Sequence, residues 1–178
     1  VRNSMNNNPG TIVKEETPGM ESVVVRGVSL ERNQAKVTID DVADRPGISA
    51  AIFGAISQAN ITIDMIVQNV SHEGITDISF TLGAADLPKA EAALKAVLPS
   101  LGEKTTLRTQ SGIAKVSVVG IGMRSHSGVA AKMFKALADA KINIQMISTS
   151  EIKTAVIVEE SEVENAARVV HTAFGLDA

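Results

Sequence analysis

The chain has 178 residues, 44% apolar and 21% charged, with a formal net charge of −3. This composition predicts a globular protein large enough for one large or two small domains. The absence of Cys excludes disulfides and thiolate metal sites, and the negative charge argues against a nucleic-acid partner. Apolar runs are too short to cross a bilayer, so we expect a cytoplasmic protein with no membrane association.

The predicted elements begin after a polar leading segment. Residues 1–21 are rich in Asn and contain two Pro-Gly pairs, a composition typical of a linker. Because the chain begins at Val1 and not at Met, we expect a segment of a longer polypeptide or a processed form. β-Branched runs then predict strands at Val23–Leu30 and Ala35–Val42, with a turn at Arg32–Gln34 between them.

One unit occurs twice: a loop ending in Gly, an apolar helix and a strand. The first copy contains Gly47 and the helix Ile48–Ala59, and the second, 81 residues later, contains Gly128 and the helix Val129–Ala140. Within the unit, nine pairs are identical at this offset: Gly47/Gly128, Ala50/Ala131, Phe53/Phe134, Ala55/Ala136, Ala59/Ala140, Ile61/Ile142, Ile63/Ile144, Met65/Met146 and Ile66/Ile147. The chain therefore contains two copies of one supersecondary unit.

The remaining elements complete a β-α-β-β-α-β order in the first copy, which is typical of the ferredoxin-like fold. They are the strands Ile61–Val70, Ile75–Leu82 and Lys104–Thr109 and a helix from about Leu87 to Leu98 that Pro99 ends. The second copy has Ala114–Val119, Ile142–Ser148, Thr154–Val158 and the helix Glu162–Phe174, but no closing strand.

We expect Val23–Leu30 to supply the strand that the second copy lacks. The prediction is an α+β fold of two ferredoxin-like domains in tandem, the first inserted within the second. The first domain would cover residues 35–110, and the second would cover residues 22–34 plus 111–178.

The loops before the two equivalent helices are candidate binding sites. Free backbone N–H groups at a helix N-terminus can bind an α-carboxylate, and glycine permits close approach. A carboxylate of the cluster Asp40, Asp41 and Asp44 could then bind an α-ammonium. If two domains pair side by side, Asp64 on the following strand would be the counter-ion of a cationic side chain. A single loop of this kind is more simply a solvated helix cap, but the duplication favours ligand binding.

Two enzyme-like patterns are disfavoured. Gly120 and Gly122 follow a strand, but Ser125 stands where a dinucleotide-binding loop needs its third Gly. The three His residues, at positions 72, 126 and 171, have no second ligand at helical spacing, which disfavours a metal pair.

Three runs closely resemble the C-terminal regulatory part of bacterial aspartate kinases: Met65–Val70, Val119–Val129 and Gln145–Ile152. The resemblance covers about residues 20–176, and residues 1–11 look like the exit from the family's kinase domain. It implies two ACT domains, the first inserted within the second, that exert feedback control on the phosphorylation of aspartate by ATP. It also implies no kinase activity and no cofactor in this chain, since ATP and Mg²⁺ would belong to the kinase domain.

The resemblance further implies that effectors bind where ACT domains of two chains meet in a homodimer. One site would comprise Asp44, Gly47, Ile48, Ser49 and Gln68, closed by Asn143 and Ile144 of the partner chain. A second possible site would comprise Thr62, Ile63, Asp64, Met123, His126, Gly128 and Val129, with Asp64 facing a lysine ammonium. The expected effectors are threonine and/or lysine, and the expected partner is the catalytic domain or subunit of aspartate kinase.

Several alternatives stay open at this point. The chain could be a structural dimerisation module without ligand binding, or an ACT pair that regulates another enzyme of amino-acid metabolism. An RNA-binding ferredoxin-like module is disfavoured, because aromatic residues make up only 2% of the chain. The assignment of effector to site is also open, as is the question of a natural small subunit or a piece of a larger chain.

Overall fold

All strands of the described residues belong to one antiparallel sheet. The structure is a computed structural model, and it describes residues 25–69, 73–120 and 128–177. The strands are β1 (Gly27–Ala43), β2 (Ile63–Gln68), β3 (Ile75–Gly83), β4 (Thr106–Val119), β5 (Met146–Thr149) and β6 (Lys153–Glu159). Their order across the sheet is β2-β3-β1-β4-β6-β5, so β2 and β5 are its edges.

Four α-helices cover one face of this sheet in two pairs. They are α1 (Ile48–Gln58), α2 (Leu87–Leu101), α3 (Val129–Asp139) and α4 (Val163–Ala173). Short 3₁₀ turns, Ala84–Asp86 and Glu160–Glu162, lead into α2 and α4. Helices α1 and α2 enclose a first core, and α3 and α4 enclose a second core.

The strands β1 and β4 each run through both halves of the sheet. The segment Gln34–Ala43 of β1 pairs with β3 in the first half, whereas Gly27–Glu31 pairs with Lys115–Val119 in the second half. Each half thus has four strands in ferredoxin-like order, and the predicted α+β class is confirmed. The limits of the two domains, at residues 35–110 and 111–178 with 22–34, stay a prediction.

The predicted turn at Arg32–Gln34 is wrong, because β1 continues through it. Asn33 adopts the left-handed conformation, with φ of 55°, where the pairing of β1 with β4 shifts register. Asn tolerates this conformation, so a bulge absorbs the polar residues without ending the strand. The predicted strands Lys104–Thr109 and Ala114–Val119 are likewise joined in the single strand β4, which begins two residues later than predicted, at Thr106.

Two other element limits differ from the prediction. Helix α2 does not end at Pro99 but continues to Leu101, whose fully buried side chain holds the last turn on the first core. The predicted strand Ile142–Ser148 begins only at Met146, while Ile142 is buried in the second core. Residues 23 and 24 of the predicted strand Val23–Leu30 and residue 70 of the predicted strand Ile61–Val70 lie outside the described residues.

A third apolar cluster lies on the face opposite the helices. Its buried members are Met65, Ile113, Met146, Ala155 and Ile157, with Val67 packed against them. Residues alternate between faces along a strand, so Ile157 belongs to this cluster while its neighbours Val156 and Val158 belong to the second core. Met65 and Met146 come from opposite edge strands, so the sheet must curl to bring its edges together across this face.

Candidate functional site

The loop before α1 has the features that a small polar ligand would require. Gly47 adopts a φ of 94° at the start of α1, and no side chain caps the helix. The first turn of a helix leaves backbone N–H groups without an intrahelical partner. Ser49 Oγ donates a hydrogen bond to Gln68 Oε1 at 3.1 Å, which joins this loop to β2. Asp44 is exposed, and its N–H donates to the carbonyl of Gly74 at 2.8 Å.

The structure brings only part of the predicted first site together within one half. Ile48 is buried in the first core, so its backbone rather than its side chain can face a ligand. Asn143 and Ile144 lie in the second half, between α3 and β5. Asn143 is exposed, and Ile144 packs against the second core.

The loop before α3 repeats the backbone geometry of the first loop. Gly128 adopts a φ of 100°, α3 has no side-chain cap, and Val129 packs against the second core. Thr62 is exposed and Ile63 packs against the first core, just before and at the start of β2. Met123 and His126 lie outside the described residues.

Asp64 already has a cationic partner within the chain. Lys115 on β4 donates a hydrogen bond from Nζ to Asp64 Oδ2, and the same ammonium lies 2.8 Å from Glu31 Oε1. The Lys115 side chain is 2% exposed, against 33% for Asp64 and 48% for Glu31. Burial disfavours the charged form of Lys115, but the hydrogen bonds to Asp64 and Glu31 outweigh it and raise its pKa.

The equivalent position in the second copy, Gln145, also contacts a lysine, in this case one from the first half of the sheet. Gln145, 81 residues after Asp64, accepts a hydrogen bond from Lys36 Nζ at 3.0 Å and donates one to Glu159 at 2.6 Å. Burial, aided by the charge of Arg108, lowers the pKa of Lys36, while Glu159 opposes this shift. Thus Asp64 and Gln145 each contact a lysine on a central strand of the other half of the sheet.

Sequence reasoning missed both lysines. Lys115 stands in the otherwise apolar or small run Ala114–Val119, and a charged residue in such a run is a signal that a buried partner exists. No sequence pattern identified Asp64, 51 residues earlier, as that partner.

A cleft of about 640 Å³ lies on the uncovered face of the first half. Arg108 donates two hydrogen bonds to Asp40, at 2.5 and 2.6 Å. The hydrogen bond from Arg108 holds the pKa of Asp40 below its usual range, against the opposing effect of burial. The lining residues are Lys36, Thr38, Asp40, Asn69, Asp77, Ser79, Arg108, Thr109, Gln110, Gln145 and Met146.

The described part of the chain contains no group of three or more His, Asp or Glu residues that could hold a metal ion. None of its helices combines the length and the apolar character that a membrane span requires.

Comparison with known proteins agrees with the two-copy architecture. Residues 36–99 and 116–174 each match a family model described as an ACT domain. An aspartate kinase from Stutzerimonas stutzeri strain A1501 is 48% identical over 179 residues, which cover 100% of this chain and 43% of that protein. The chain thus spans less than half the length of the curated relatives it matches.

Two solved structures match this chain over nearly the whole length of their own chains. The ligand-free regulatory subunit of aspartate kinase from Thermus thermophilus has a TM-score of 0.79 and 38% identity, covering 85% of this chain and 99% of that chain. A structure of aspartokinase alpha and beta subunits has a TM-score of 0.78 and 46% identity, with the same coverage. The chain therefore belongs to the aspartate kinase family, as the ACT-domain regulatory part of this transferase.

Proposed function

We propose that this chain senses threonine and/or lysine for an aspartate kinase and inhibits the kinase when these amino acids accumulate. The effectors bind where ACT domains of two chains meet in a homodimer. They favour the arrangement in which the associated catalytic domain or subunit, which phosphorylates aspartate with ATP, is inactive. Coupling of this kind is limited to the difference in effector affinity between the two states, typically about 1–3 kcal/mol.

The observation that supports effector binding is the uncapped helix start at Gly47, beside the Ser49–Gln68 hydrogen bond. In the proposed site the backbone N–H groups of Gly47–Ser49 receive the carboxylate of the amino acid. The N–H of Ile48 donates to the carbonyl of Arg45 at 3.4 Å and would have to exchange this long hydrogen bond for one to the ligand. Asp44 and Gln68, both exposed, bind its ammonium and side-chain groups. Asn143 and Ile144 of the partner chain then close the site through main-chain contacts.

The second proposed site is built on the loop before α3. Gly128 and Val129 receive the carboxylate, as Gly47 and Ile48 do in the first site. Asp64 is the counter-ion for a lysine ammonium, in competition with Lys115. The site is completed by Thr62, Ile63, Met123 and His126.

The edge strands support dimerisation. Ile66 on β2 and Ile147 on β5 occupy equivalent positions of the repeat, and their exposed fractions are 52% and 44%. Among the described residues, both strands also have one edge with no neighbouring strand. Pairing edge strands between two chains would satisfy these backbone groups and bury both side chains.

Calorimetric titration of the dimer with threonine and with lysine tests the proposal. We expect at least one of them to bind, and Asp44→Ala to weaken threonine binding by about tenfold, since a charged hydrogen bond is lost. Glu164→Ala is the matched control, because it removes an exposed carboxylate of α4 that pairs with Arg32. If neither amino acid binds the folded dimer, the sensor function is wrong.

The competing function is a dimerisation module that has no effector. It predicts that Asp44→Ala leaves feedback inhibition of the reconstituted kinase unchanged, whereas the sensor predicts resistance to inhibition. The sensor function also predicts a cytoplasmic protein, because the associated kinase would take its ATP and aspartate from the cytoplasm. ATP and Mg²⁺ are needed by the catalytic part alone.

A further inference from the structure

The carboxylate of Asp64 has two sides with different surroundings. Its inner side faces Lys115, whose side chain is almost fully buried under the curled sheet. A third of the Asp64 side chain is exposed at the edge strand β2, where a ligand can approach. Any cationic ligand at this edge therefore meets a carboxylate that is already paired from within.

Lys115 brings two carboxylates, Asp64 and Glu31, together around one ammonium. Lys115 contributes one positive charge, and Asp64 and Glu31 contribute one negative charge each, so the group has a net charge of −1. Without the lysine the same group would have a net charge of −2. A ligand ammonium at contact distance is attracted in proportion to this net charge, most strongly where water is partly excluded.

We propose that Lys115 is a specificity-determining residue of the effector site at Asp64. It neutralises part of the carboxylate charge, weakens binding of a cationic amino acid such as lysine, and leaves binding of a neutral amino acid such as threonine unaffected. This inference rests on the proposed function, because it requires that amino acids bind at this edge. It assigns Lys115 no contact with the ligand, so it acts through the charge and position of Asp64.

The second copy of the repeat provides the internal comparison. Lys36 lies across the sheet from Gln145, the equivalent of Asp64, and donates a hydrogen bond to its neutral amide. Removing Lys36 therefore breaks a hydrogen bond to an amide, and the nearby carboxylate of Glu159 keeps its hydrogen bonds from Gln145 and Gln110. The chain thus contains a matched control lysine on the same face of the sheet.

The test is calorimetric titration of the folded dimer with L-lysine and with L-threonine. We expect Lys115→Met to bind lysine about tenfold more tightly than the unsubstituted chain does, with threonine affinity unchanged within about twofold. Lys115→Arg, which keeps the positive charge, should restore the weaker lysine binding. Lys36→Met should change neither affinity.

Lys115→Met removes a buried cation and could therefore fail to fold. A second variant, at a more exposed residue, keeps the inference testable in that case. Glu31→Gln changes a half-exposed residue and brings the net charge of the group to zero, so it should weaken lysine binding and spare threonine binding. If Lys115→Met folds but does not tighten lysine binding, the inference is wrong, and the same holds if Glu31→Gln leaves lysine binding unchanged. Equal loss of both ligands in Lys115→Met would assign the residue a structural role only.

The outcomes separate this inference from the proposed function. If threonine binds but the lysine affinity is the same in the Lys115 variants as in the unsubstituted chain, the specificity role of Lys115 is wrong and the sensor function stands. Absence of binding by both amino acids in every folded variant overturns the sensor function, and the specificity role with it.

Discussion

Gly47 occupies a backbone conformation that residues with a β-carbon rarely adopt. Its φ is 94°, although a β-carbon added there would meet no atom within 4 Å. The constraint is therefore torsional and not steric crowding by neighbours. A residue with a side chain at this position strains the loop that presents the first N–H groups of α1.

We predict that Gly47→Ala lowers the free energy of unfolding by about 1 kcal/mol. Gly54→Ala is the control, because Gly54 lies within α1 and also has open space around it. Alanine favours the helix, so this control should raise the stability by up to about 1 kcal/mol. Urea denaturation of the two variants measures both changes, and equal effects of the same sign would contradict the torsional explanation.

Asp40 is a residue whose charge is stabilised by a neighbour. Its two hydrogen bonds from Arg108 hold its pKa below the usual range. A carboxyl group with a lowered pKa in the folded state stabilises the fold above the unfolded pKa of about 4. This contribution is lost as the pH falls through the folded pKa.

Asp40→Asn should therefore be less stable than the unsubstituted chain at neutral pH, and the difference should shrink below about pH 4. Denaturation at a series of pH values measures the difference. Arg108→Met removes the same pair, so the double variant should lose less than the two single variants together. A difference that is constant with pH would show that the charge of Asp40 is not responsible.

At the scale of elements, the edge strands β2 and β5 have equivalent roles in the two halves. Each carries an exposed Ile on an unpaired edge, and each has a Met in the cluster that joins the halves. A lone sheet with two such edges is prone to pair with another chain. The repeat has thus placed two similar association surfaces on one sheet.

We predict that Ile66→Lys and Ile147→Lys each weaken dimerisation at least tenfold, because each places a charge in the proposed interface. Ile152→Lys is the control, since Ile152 is 59% exposed but lies outside the strands. Sedimentation equilibrium measures the association. If the control weakens the dimer as much as the edge variants, the edges do not form its interface.

At the scale of the whole molecule, the two halves share strands. Both cores pack on one sheet, and β1 and β4 contribute residues to each of them. The third cluster and the Lys115–Asp64 contact join the halves again on the opposite face. Neither half can unfold without disrupting strands that the other half needs.

We therefore predict a single cooperative unfolding transition. Leu94→Ala in the first core and Leu137→Ala in the second remove fully buried side chains, and each should lower the free energy of unfolding by about 2–5 kcal/mol. Far-UV circular dichroism and amide hydrogen exchange in each half should report the same midpoint at a fixed protein concentration. Two separate transitions in either variant would contradict the shared-sheet description.

Three features of this protein follow from local sequence patterns: the duplicated loop–helix–strand unit, the α+β class and the glycine at each helix start. Local patterns carry this information, because apolar spacing specifies helices and strands and glycine marks positive φ. Gly47 and Gly128 were identified in this way, and both adopt the conformation that their place before a helix requires.

The continuity of the strands and the contacts between residues across the sheet depend on the complete fold. The polar residues at 32–34 read as a turn, but pairing with β4 keeps β1 unbroken through a bulge at Asn33. The sequence predicts Asp64 as a counter-ion for a ligand, but in the fold the curl of the sheet brings Lys115 of the other half to it. Such contacts depend on the register and twist of strands far apart in the chain, which no local pattern encodes.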